Sequence, residues 1–388
     1  MPDPSPPSRA EPVPDQPIRF IPSDDRADPT AGVALCLSGG GYRAMLFHAG
    51  VLWRLNELGR LHTLDRISSV SGGSITAAAL GQAWAQLRFD GDAKGLIDHV
   101  INPVRDLAGH TLDVRAIAIG ILTPGTIADH LADAYAKHLF ASRTLQDLPD
   151  GPRFILNATN LASGELWRFS KPYMADWRVG LIRSPGVRLS QAVAASSAFP
   201  PVLSPFTLDL RDADWETVEG NDLTDPQYRG RIQLSDGGVY DNLGLETAWK
   251  ACHTVLVSDA GGHLADDAAP PRDWARQELR TGKLVDNQVR DLRKRQVVNG
   301  YRTWARDGAY WGIREDISSF SAPGKLPCPV EQTLWLARTP TRLASLDDIL
   351  QERLINWGYA ICDAALRSYV DPSLPAPDDF PYPDAKVG

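Results

Sequence analysis

Long hydrophobic runs are absent from this sequence and cysteine is scarce, and each absence excludes a class of protein. No stretch of about 18 apolar residues occurs, so we expect no membrane-spanning helix. The four cysteines (Cys36, Cys252, Cys328 and Cys362) are scattered and lack the paired spacing of a zinc site. We therefore expect buried, reduced thiols in a cytoplasmic protein, and the sequence implies no metal or organic cofactor.

Basic charge is also in short supply. The chain has a formal net charge of −8 and a sequence pI of about 5.5. This balance disfavours nucleic acid as a partner and argues against attraction of the whole surface to anionic lipid. A local basic face still permits peripheral contact with a membrane. The helical segment from Trp274 to Arg306 is strongly basic and fits either such a face or an ordinary solvated helix.

Composition divides the chain into three parts. The first thirty residues hold nine prolines and no basic start leading into an apolar core, so we expect a disordered leader at 1–31 rather than a signal peptide. One folded domain is predicted over 32–370, followed by a proline-rich extended tail at 371–388. Within the domain, 107–140 is apolar and helical, which fits either a lid over a cleft or ordinary core helices. No sequence feature indicates an oligomeric state.

Strand-like and helical patterns alternate along the folded part. Such alternation predicts an α/β fold with a mostly parallel sheet covered by helices on both faces. Ligands of these sheets bind at the carboxyl ends of the strands. The predicted strands are Val33–Leu37, Ile67–Val70, Phe154–Ala158, Leu166–Phe169, Ile232–Leu234 and Thr254–Ser258. The main predicted helices are Tyr42–Leu58, Ser74–Leu87, Trp274–Arg306 and Leu343–Tyr369.

A serine lies in a glycine-marked turn at the end of the second predicted strand. The run Ser69-Val70-Ser71-Gly72-Gly73 approximates the nucleophile elbow G-x-S-x-G, with Ser69 replacing the first glycine. Serine is small enough for the sharp bend that this turn requires. Ser71 would then stand at a helix N-terminus, where the dipole favours developing negative charge. A strand-to-helix turn with an incidental serine is the alternative.

The first predicted strand ends in three consecutive glycines, Gly39, Gly40 and Gly41, followed by Arg43. Peptides without Cβ atoms can direct their N–H groups toward one point, as an oxyanion hole requires. Arg43 adds a positive charge suited to a phosphate headgroup or to holding the loop. A dinucleotide fingerprint is the rival interpretation. It fails because the required acidic residue, Asp65, precedes the second strand instead of ending it.

A serine nucleophile needs a base, and Asp236 in Asp236-Gly237-Gly238 is the best candidate because it also ends a predicted strand. A free aspartate has a pKa of about 3.9, so a partly desolvated cleft would have to raise it. His263 follows a strand end and is the alternative base of a Ser-Asp-His triad. His253 and His48 have positions that suit structural roles, and we expect the same of Asp241.

These turns, in this order, resemble those of the patatin-like phospholipases. The Gly39–Ala44 loop is also similar to that of cytosolic phospholipases and lysophospholipases. Further agreements are Asn157-Ala158-Thr159-Asn160 and Ala195-Ser196-Ser197-Ala198-Phe199-Pro200-Pro201. Two departures are Ser38, where many patatins have aspartate, and Ser69 in the elbow.

The resemblance implies a three-layer α/β/α fold and a Ser–Asp dyad of Ser71 and Asp236. It also implies an oxyanion hole of Gly39, Gly40 and Gly41, and substrate binding by Arg43 and Gly72. The expected function is hydrolysis of fatty-acid esters in phospholipids or related lipids, by a cytoplasmic enzyme that contacts membranes peripherally. A catalytically silent patatin-like binding module and an α/β-hydrolase esterase with a histidine triad are the alternatives.

Overall fold

A ten-stranded mixed sheet forms the centre of the protein in the computed structural model, which describes residues 30–112, 127–218 and 220–388. The strands are β1 Thr30–Leu37, β2 Arg66–Val70, β3 Arg153–Asn160, β4 Leu166–Phe169, β5 Tyr173–Asp176, β6 Gly180–Arg183, β7 Phe206–Asp209, β8 Arg231–Asp236, β9 Cys252–Asp259 and β10 Asp307–Gly312. All six predicted strands are present, with bounds that differ by at most three residues at either end.

The helices occupy the segments between the strands. They are α1 Gly41–Glu57, α2 Gly72–Ala83, α3 Lys94–Leu96, α4 Asn102–Ala108, α5 Ile127–Tyr135, α6 Leu189–Ser196, α7 Pro226–Arg229, α8 Gly238–Asp241, α9 Leu245–Trp249, α10 Trp274–Arg302, α11 Val330–Leu336 and α12 Asp348–Tyr369. Two π-helical turns, Ile97–Ile101 and Ala136–Phe140, extend α3 and α5. No helix in the described part of the chain is long and apolar enough to cross a bilayer.

The parallel part of the sheet has the order β10-β9-β1-β2-β3, and β4, β5 and β6 continue it in antiparallel fashion. β8 pairs antiparallel with both β3 and β7. A central parallel sheet with helices on both faces confirms the predicted fold class.

The alternation of side chains along β1 shows the three layers directly. Leu35 and Leu37 belong to the large apolar core that contains α1, α2 and α12. Ala34 and Cys36 point to the opposite face, into a smaller core formed with α9 and Val297 of α10. Successive strand residues point to opposite faces of a sheet, so β1 is buried between two helical layers.

Glycines allow α1 and α12 to cross at close range on the larger face. A Cβ atom at Gly50 would overlap the Ile355 carbonyl oxygen, and one at Gly358 would overlap that of Phe47. The two backbones therefore touch where neither helix has a side chain.

The structure describes part of the predicted lid and all of the predicted tail. Residues 113–126 of the predicted lid segment 107–140, and residues 1–29 of the predicted leader, lie outside the described residues. α5 packs against α6, and its Tyr135 hydroxyl contacts the Ser197 hydroxyl at 3.2 Å. The tail 371–388 lies on α12, because the Asn356 amide donates to the carbonyls of Tyr382 and Lys386 at 2.8 Å each.

Candidate active site

β3 brings two strand ends together that are far apart in the sequence. Along one edge of β3, Asn157 pairs with Val70, the last residue of β2. The next residue, Ala158, pairs with Asp236, the last residue of β8. Because β2 runs parallel to β3 and β8 runs antiparallel to it, the two strands meet end to end at this point. The turns that follow Val70 and contain Asp236 therefore adjoin.

Ser71 occupies the strained turn that the sequence predicts. Its backbone has φ 51° and ψ −120°, an unusual conformation for a residue other than glycine. Its N–H donates to the Ser196 hydroxyl oxygen at 3.0 Å, and that hydroxyl donates to the Asn157 carbonyl at 2.6 Å. Ser196 thus ties the strained turn to β3, and Ser71 immediately precedes α2.

Ser69, which replaces the first glycine of the elbow, is buried and its hydroxyl has hydrogen-bond partners. Its hydroxyl donates to the Ile155 carbonyl at 3.2 Å and lies 3.0 Å from the Ser74 hydroxyl. These partners satisfy a buried polar group that would otherwise be costly. The departure from the glycine pattern therefore leaves the turn intact.

Gly72 lies where α2 meets the glycine loop. A Cβ atom at this position would overlap the carbonyl oxygen of Gly41. Close contact between the two backbones explains why glycine is required here. Its predicted contact with substrate stays a prediction.

Among the described residues, one of the three main-chain N–H groups of the glycine loop (Gly39, Gly40 and Gly41) is hydrogen-bonded and two are not. The N–H of Gly39 donates to the Asn242 carbonyl at 3.0 Å. No hydrogen bond recorded among the described residues uses the N–H of Gly40 or of Gly41. Gly40 and Gly41 have φ of 146° and 60°, which favour glycine. The N–H of Gly39 therefore already has an acceptor, and the oxyanion hole of Gly39, Gly40 and Gly41 stays a prediction.

The side chain of Asn242 is surrounded by glycine backbones. A Cβ atom at Gly238 would lie 2.6 Å from its Oδ1, and one at Gly261 would lie 2.8 Å from its Nδ2. A Cβ atom at Gly39 would overlap the same Oδ1. The Asn242 side chain therefore packs between the glycine loop, the Asp236 turn and the loop after β9.

Asp236 is buried, with 2% of its surface exposed. Its Oδ1 accepts the N–H of Gly238 at 2.7 Å, and the Ser71 side chain lies near enough to stabilise the charged carboxylate. Burial raises the pKa of Asp236 to about 7, and the negative charge of Asp286 acts in the same direction. The Gly238 N–H and the Ser71 side chain oppose this rise in pKa. The carboxylate is consequently suited to exchange a proton near neutral pH.

Arg43 is buried and its guanidinium is held by main-chain carbonyls. It donates to Ala337 at 2.7 Å, to Thr339 at 2.8 Å and to Ala260 at 2.8 Å. Burial lowers the pKa of Arg43 to about 10, still far above neutrality. Main-chain carbonyls thus hold the Arg43 side chain, and its two suggested roles, holding the glycine loop by a salt bridge and binding a lipid headgroup, both stay predictions.

Neither His48 nor His263 is hydrogen-bonded to Ser71 or Asp236 within the described ranges. His48 is buried, with Nδ1 at 2.9 Å from the Ser258 hydroxyl and Nε2 at 3.0 Å from the Ser38 carbonyl. His263 is exposed. The histidine triad therefore stays an alternative for experiment to test.

Asp241 and the cysteines also have the placements that the sequence suggests. The Asp241 carboxylate accepts the main-chain N–H groups of Leu243 at 3.1 Å and Glu246 at 2.7 Å. All four cysteines are buried, and none forms a disulfide. In the parts of the chain that the structure describes, no group of three or more His, Cys, Asp or Glu side chains is arranged to hold a metal ion.

Three residues near the site, Ser196, Asn242 and Asp286, were not identified as site residues from the sequence. Ser196 lies in a segment that the family resemblance marks, but nothing there shows that it binds the backbone of Ser71. Asn242 and Asp286 carry no motif of their own. Their positions depend on α8 and α10, which pack against each other beside β3.

The chain is similar to known proteins in sequence and in structure. A family model described as Patatin-like phospholipase matches residues 35–249. No curated protein matches the sequence. Two structures of human GIVD cytosolic phospholipase A2 in complex with methyl gamma-linolenyl fluorophosphonate, one of them also with terbium chloride, are similar at 17% identity with TM-scores of 0.53 and 0.51. Each comparison covers 87% of this chain and 57% of the human chain. This chain thus spans little more than half the length of those proteins, and the likeness shows a shared fold.

Proposed function

Because this chain belongs to the patatin-like phospholipase family, we propose that it is a serine acyl hydrolase that releases fatty acids from phospholipids or related lipid esters. One observation carries the proposal. A serine in a strained strand-to-helix turn lies beside a buried aspartate whose pKa is raised to about 7, because the ends of β2 and β8 adjoin on β3. The similar human structures are those of a phospholipase in complex with a fluorophosphonate inhibitor, which supports the same chemistry.

In the first half of the reaction, Asp236 accepts the proton of Ser71 as the hydroxyl oxygen attacks the ester carbonyl. A bond forms between Oγ and the carbonyl carbon, and the carbonyl oxygen becomes an oxyanion. The N–H groups of Gly40 and Gly41 would donate to this oxyanion. Collapse of the intermediate breaks the ester bond, and the leaving alcohol takes the proton from Asp236.

In the second half, water hydrolyses the acyl-enzyme. Asp236 accepts a proton from water as the water oxygen attacks the acyl carbon. The bond from Ser71 breaks, the serine regains a proton from Asp236, and the fatty acid leaves. Asp236 thus returns to its ionised form, and no metal is needed for any step.

The proposal is tested by comparing wild type with Ser71→Ala and Asp236→Asn on phospholipid vesicles and on soluble p-nitrophenyl esters. We expect Ser71→Ala to abolish both activities and Asp236→Asn to lower them by about 10²–10⁴-fold. Ser319→Ala, which alters an exposed serine away from the site, is the matched control. Ser71→Ala with full activity would overturn the assignment of the nucleophile.

A fluorophosphonate probe separates this enzyme from a silent binding module of the same fold. The probe phosphonylates an activated serine, so wild type should be labelled and Ser71→Ala should not. An unlabelled wild-type protein that hydrolyses no ester would favour the binding module. If His263→Ala abolished activity while Asp236→Asn retained it, the histidine-triad alternative would be correct.

We further propose that the enzyme acts in the cytoplasm and contacts membranes peripherally. The chain has four buried cysteines that form no disulfide, as expected in a reducing compartment. Its lipid substrate would be presented by a bilayer surface.

A further inference from the structure

Helix α10 presents several apolar residues to solvent, and charged residues on its inner side bind the rest of the protein. On the inner side, Arg293 pairs with Glu246 at 3.0 Å and Lys294 pairs with Glu315 at 2.5 Å. Tyr301 donates to the Val255 carbonyl at 2.6 Å. Ion pairs and hydrogen bonds, rather than a broad apolar stripe, thus attach much of this helix to the domain.

The outer side of α10 carries exposed apolar side chains in a row. Trp274 is 84% exposed, Val285 54% and Leu292 59%. At 3.6 residues per turn, spacings of eleven and seven residues return to within about 20° of the same direction. Leu284, 48% exposed, flanks this row. Surface helices normally show the opposite arrangement, so a row of this kind indicates a contact surface.

Charge indicates what this surface contacts. α10 contains eight Lys and Arg residues against three Asp and Glu residues, in a chain whose formal net charge is −8. Arg295 and Arg302 are exposed, and neither forms an ion pair with any described residue. Exposed apolar groups beside unpaired cations suit a bilayer, whose interior accepts the former and whose anionic headgroups attract the latter.

The surface also adjoins the candidate active site. α10 packs against α8, which begins two residues after Asp236. Val239 of α8 is 47% exposed. Asp286, between Trp274 and Leu292, lies close enough to raise the pKa of Asp236.

From these observations we infer that the outer face of α10, defined by Trp274, Leu284, Val285 and Leu292, docks the protein on a phospholipid bilayer that contains anionic lipid. This inference rests on the proposed lipid substrate. The helix would lie in the headgroup region with this face toward the acyl chains. Arg295 and Arg302 would contact phosphates. In this orientation α10 would lie between the bilayer and the proposed dyad, since Asp286 on the inner side of the helix is the residue that acts on Asp236.

Vesicle co-sedimentation tests the inference independently of catalysis. The full chain is mixed with vesicles of phosphatidylcholine, with and without phosphatidylserine. Replacement of Trp274 and Val285 together by serine should weaken binding about tenfold on both vesicle types, because two inserted apolar side chains are lost. The matched control replaces Trp335 of α11 and Val370, which follows α12, by serine; both are exposed, and this variant should bind like wild type.

A second pair of changes tests the charge. Arg295→Glu with Arg302→Glu should weaken binding to vesicles with phosphatidylserine and leave binding to pure phosphatidylcholine unchanged. High salt should remove this difference. Hydrolysis of a soluble p-nitrophenyl ester should match wild type in all these variants, which shows that the fold is retained.

Ser71→Ala separates this inference from the proposed function. It should bind vesicles like wild type even though it is inactive, so a failure of catalysis leaves the docking result readable. The inference is overturned if the variant lacking Trp274 and Val285 binds vesicles as wild type does, or if wild type binds none. It is also overturned if sedimentation equilibrium shows a dimer that this variant converts to monomer, because a second copy would then cover the helix.

Discussion

The N–H of Gly39 donates to the carbonyl of Asn242 at 3.0 Å, which joins the glycine loop after β1 to the turn that follows Asp236. The same bond occupies one of the three amides that could stabilise an oxyanion. Its effect is to fix the loop so that the N–H groups of Gly40 and Gly41 remain available. Gly39 and Asn242, which lie outside the proposed Ser71–Asp236 dyad, therefore help to set the distance between the glycine loop and that dyad.

We predict that Gly39→Ala lowers kcat for ester hydrolysis by about 10–10³-fold. The new methyl group would overlap the Oδ1 of Asn242 and lie 3.1 Å from the Cβ of Ser71, so the loop must shift away from the dyad. Steady-state kinetics on a soluble ester measures the loss.

Combining Gly39→Ala with Asn242→Ala tests whether overlap with the Asn242 side chain causes the loss of kcat. Removal of the carboxamide leaves the main-chain acceptor in place but frees space for the methyl group, so part of the lost kcat should return. A double variant no faster than the slower single variant would contradict this account of the loop.

The pH dependence of kcat/KM should report the buried carboxyl. Asp236 must be ionised to accept a proton, and its pKa is raised to about 7, so activity should rise with pH and reach half its maximum near pH 7. Replacement of Asp286 by Asn removes a negative charge that contributes to this rise. The half-maximal point should therefore move to lower pH.

Glu278→Gln is the control for that measurement, because it removes a carboxylate from the same helix at an exposed position. Its pH profile should coincide with that of wild type. An Asp286→Asn enzyme with an unshifted acid limb would show that Asp286 does not act on Asp236.

His48 should make the protein less stable in acid. Burial lowers its pKa to about 4, whereas the unfolded chain binds this proton near pH 6.5. Protons therefore favour the unfolded state as pH falls from 6.5 toward 4. Linkage gives a loss of about 2 kcal/mol in unfolding free energy at pH 5 from this residue.

Urea unfolding at pH 7.5 and pH 5 measures this effect. His48→Asn should be less stable than wild type at pH 7.5, and the difference should shrink by about 2 kcal/mol at pH 5. The exposed His263→Asn should show no such change. An equal difference at both pH values would mean that His48 accepts a proton in the folded state.

Much of the fold is local in origin and was predictable from the sequence. The strand Leu166–Phe169 agrees with its predicted bounds, and Val33–Leu37 is extended only at its start. Helix α10 begins at the predicted Trp274. The family prediction is confirmed by the match over residues 35–249. The roles of Ser71 and Asp236 stay predictions, which the proposed experiments test.

The sequence by itself determined the strand-to-helix turns, because glycine and small residues control backbone conformation over a few neighbouring positions. Only the tertiary structure decided that Asp236 meets Ser71, since the antiparallel entry of β8 beside β2 is a long-range pairing on β3. The same holds for the acceptor of Gly39 and for the outward apolar row of α10. Such contacts join residues far apart in the chain, and packing selects them rather than any local preference.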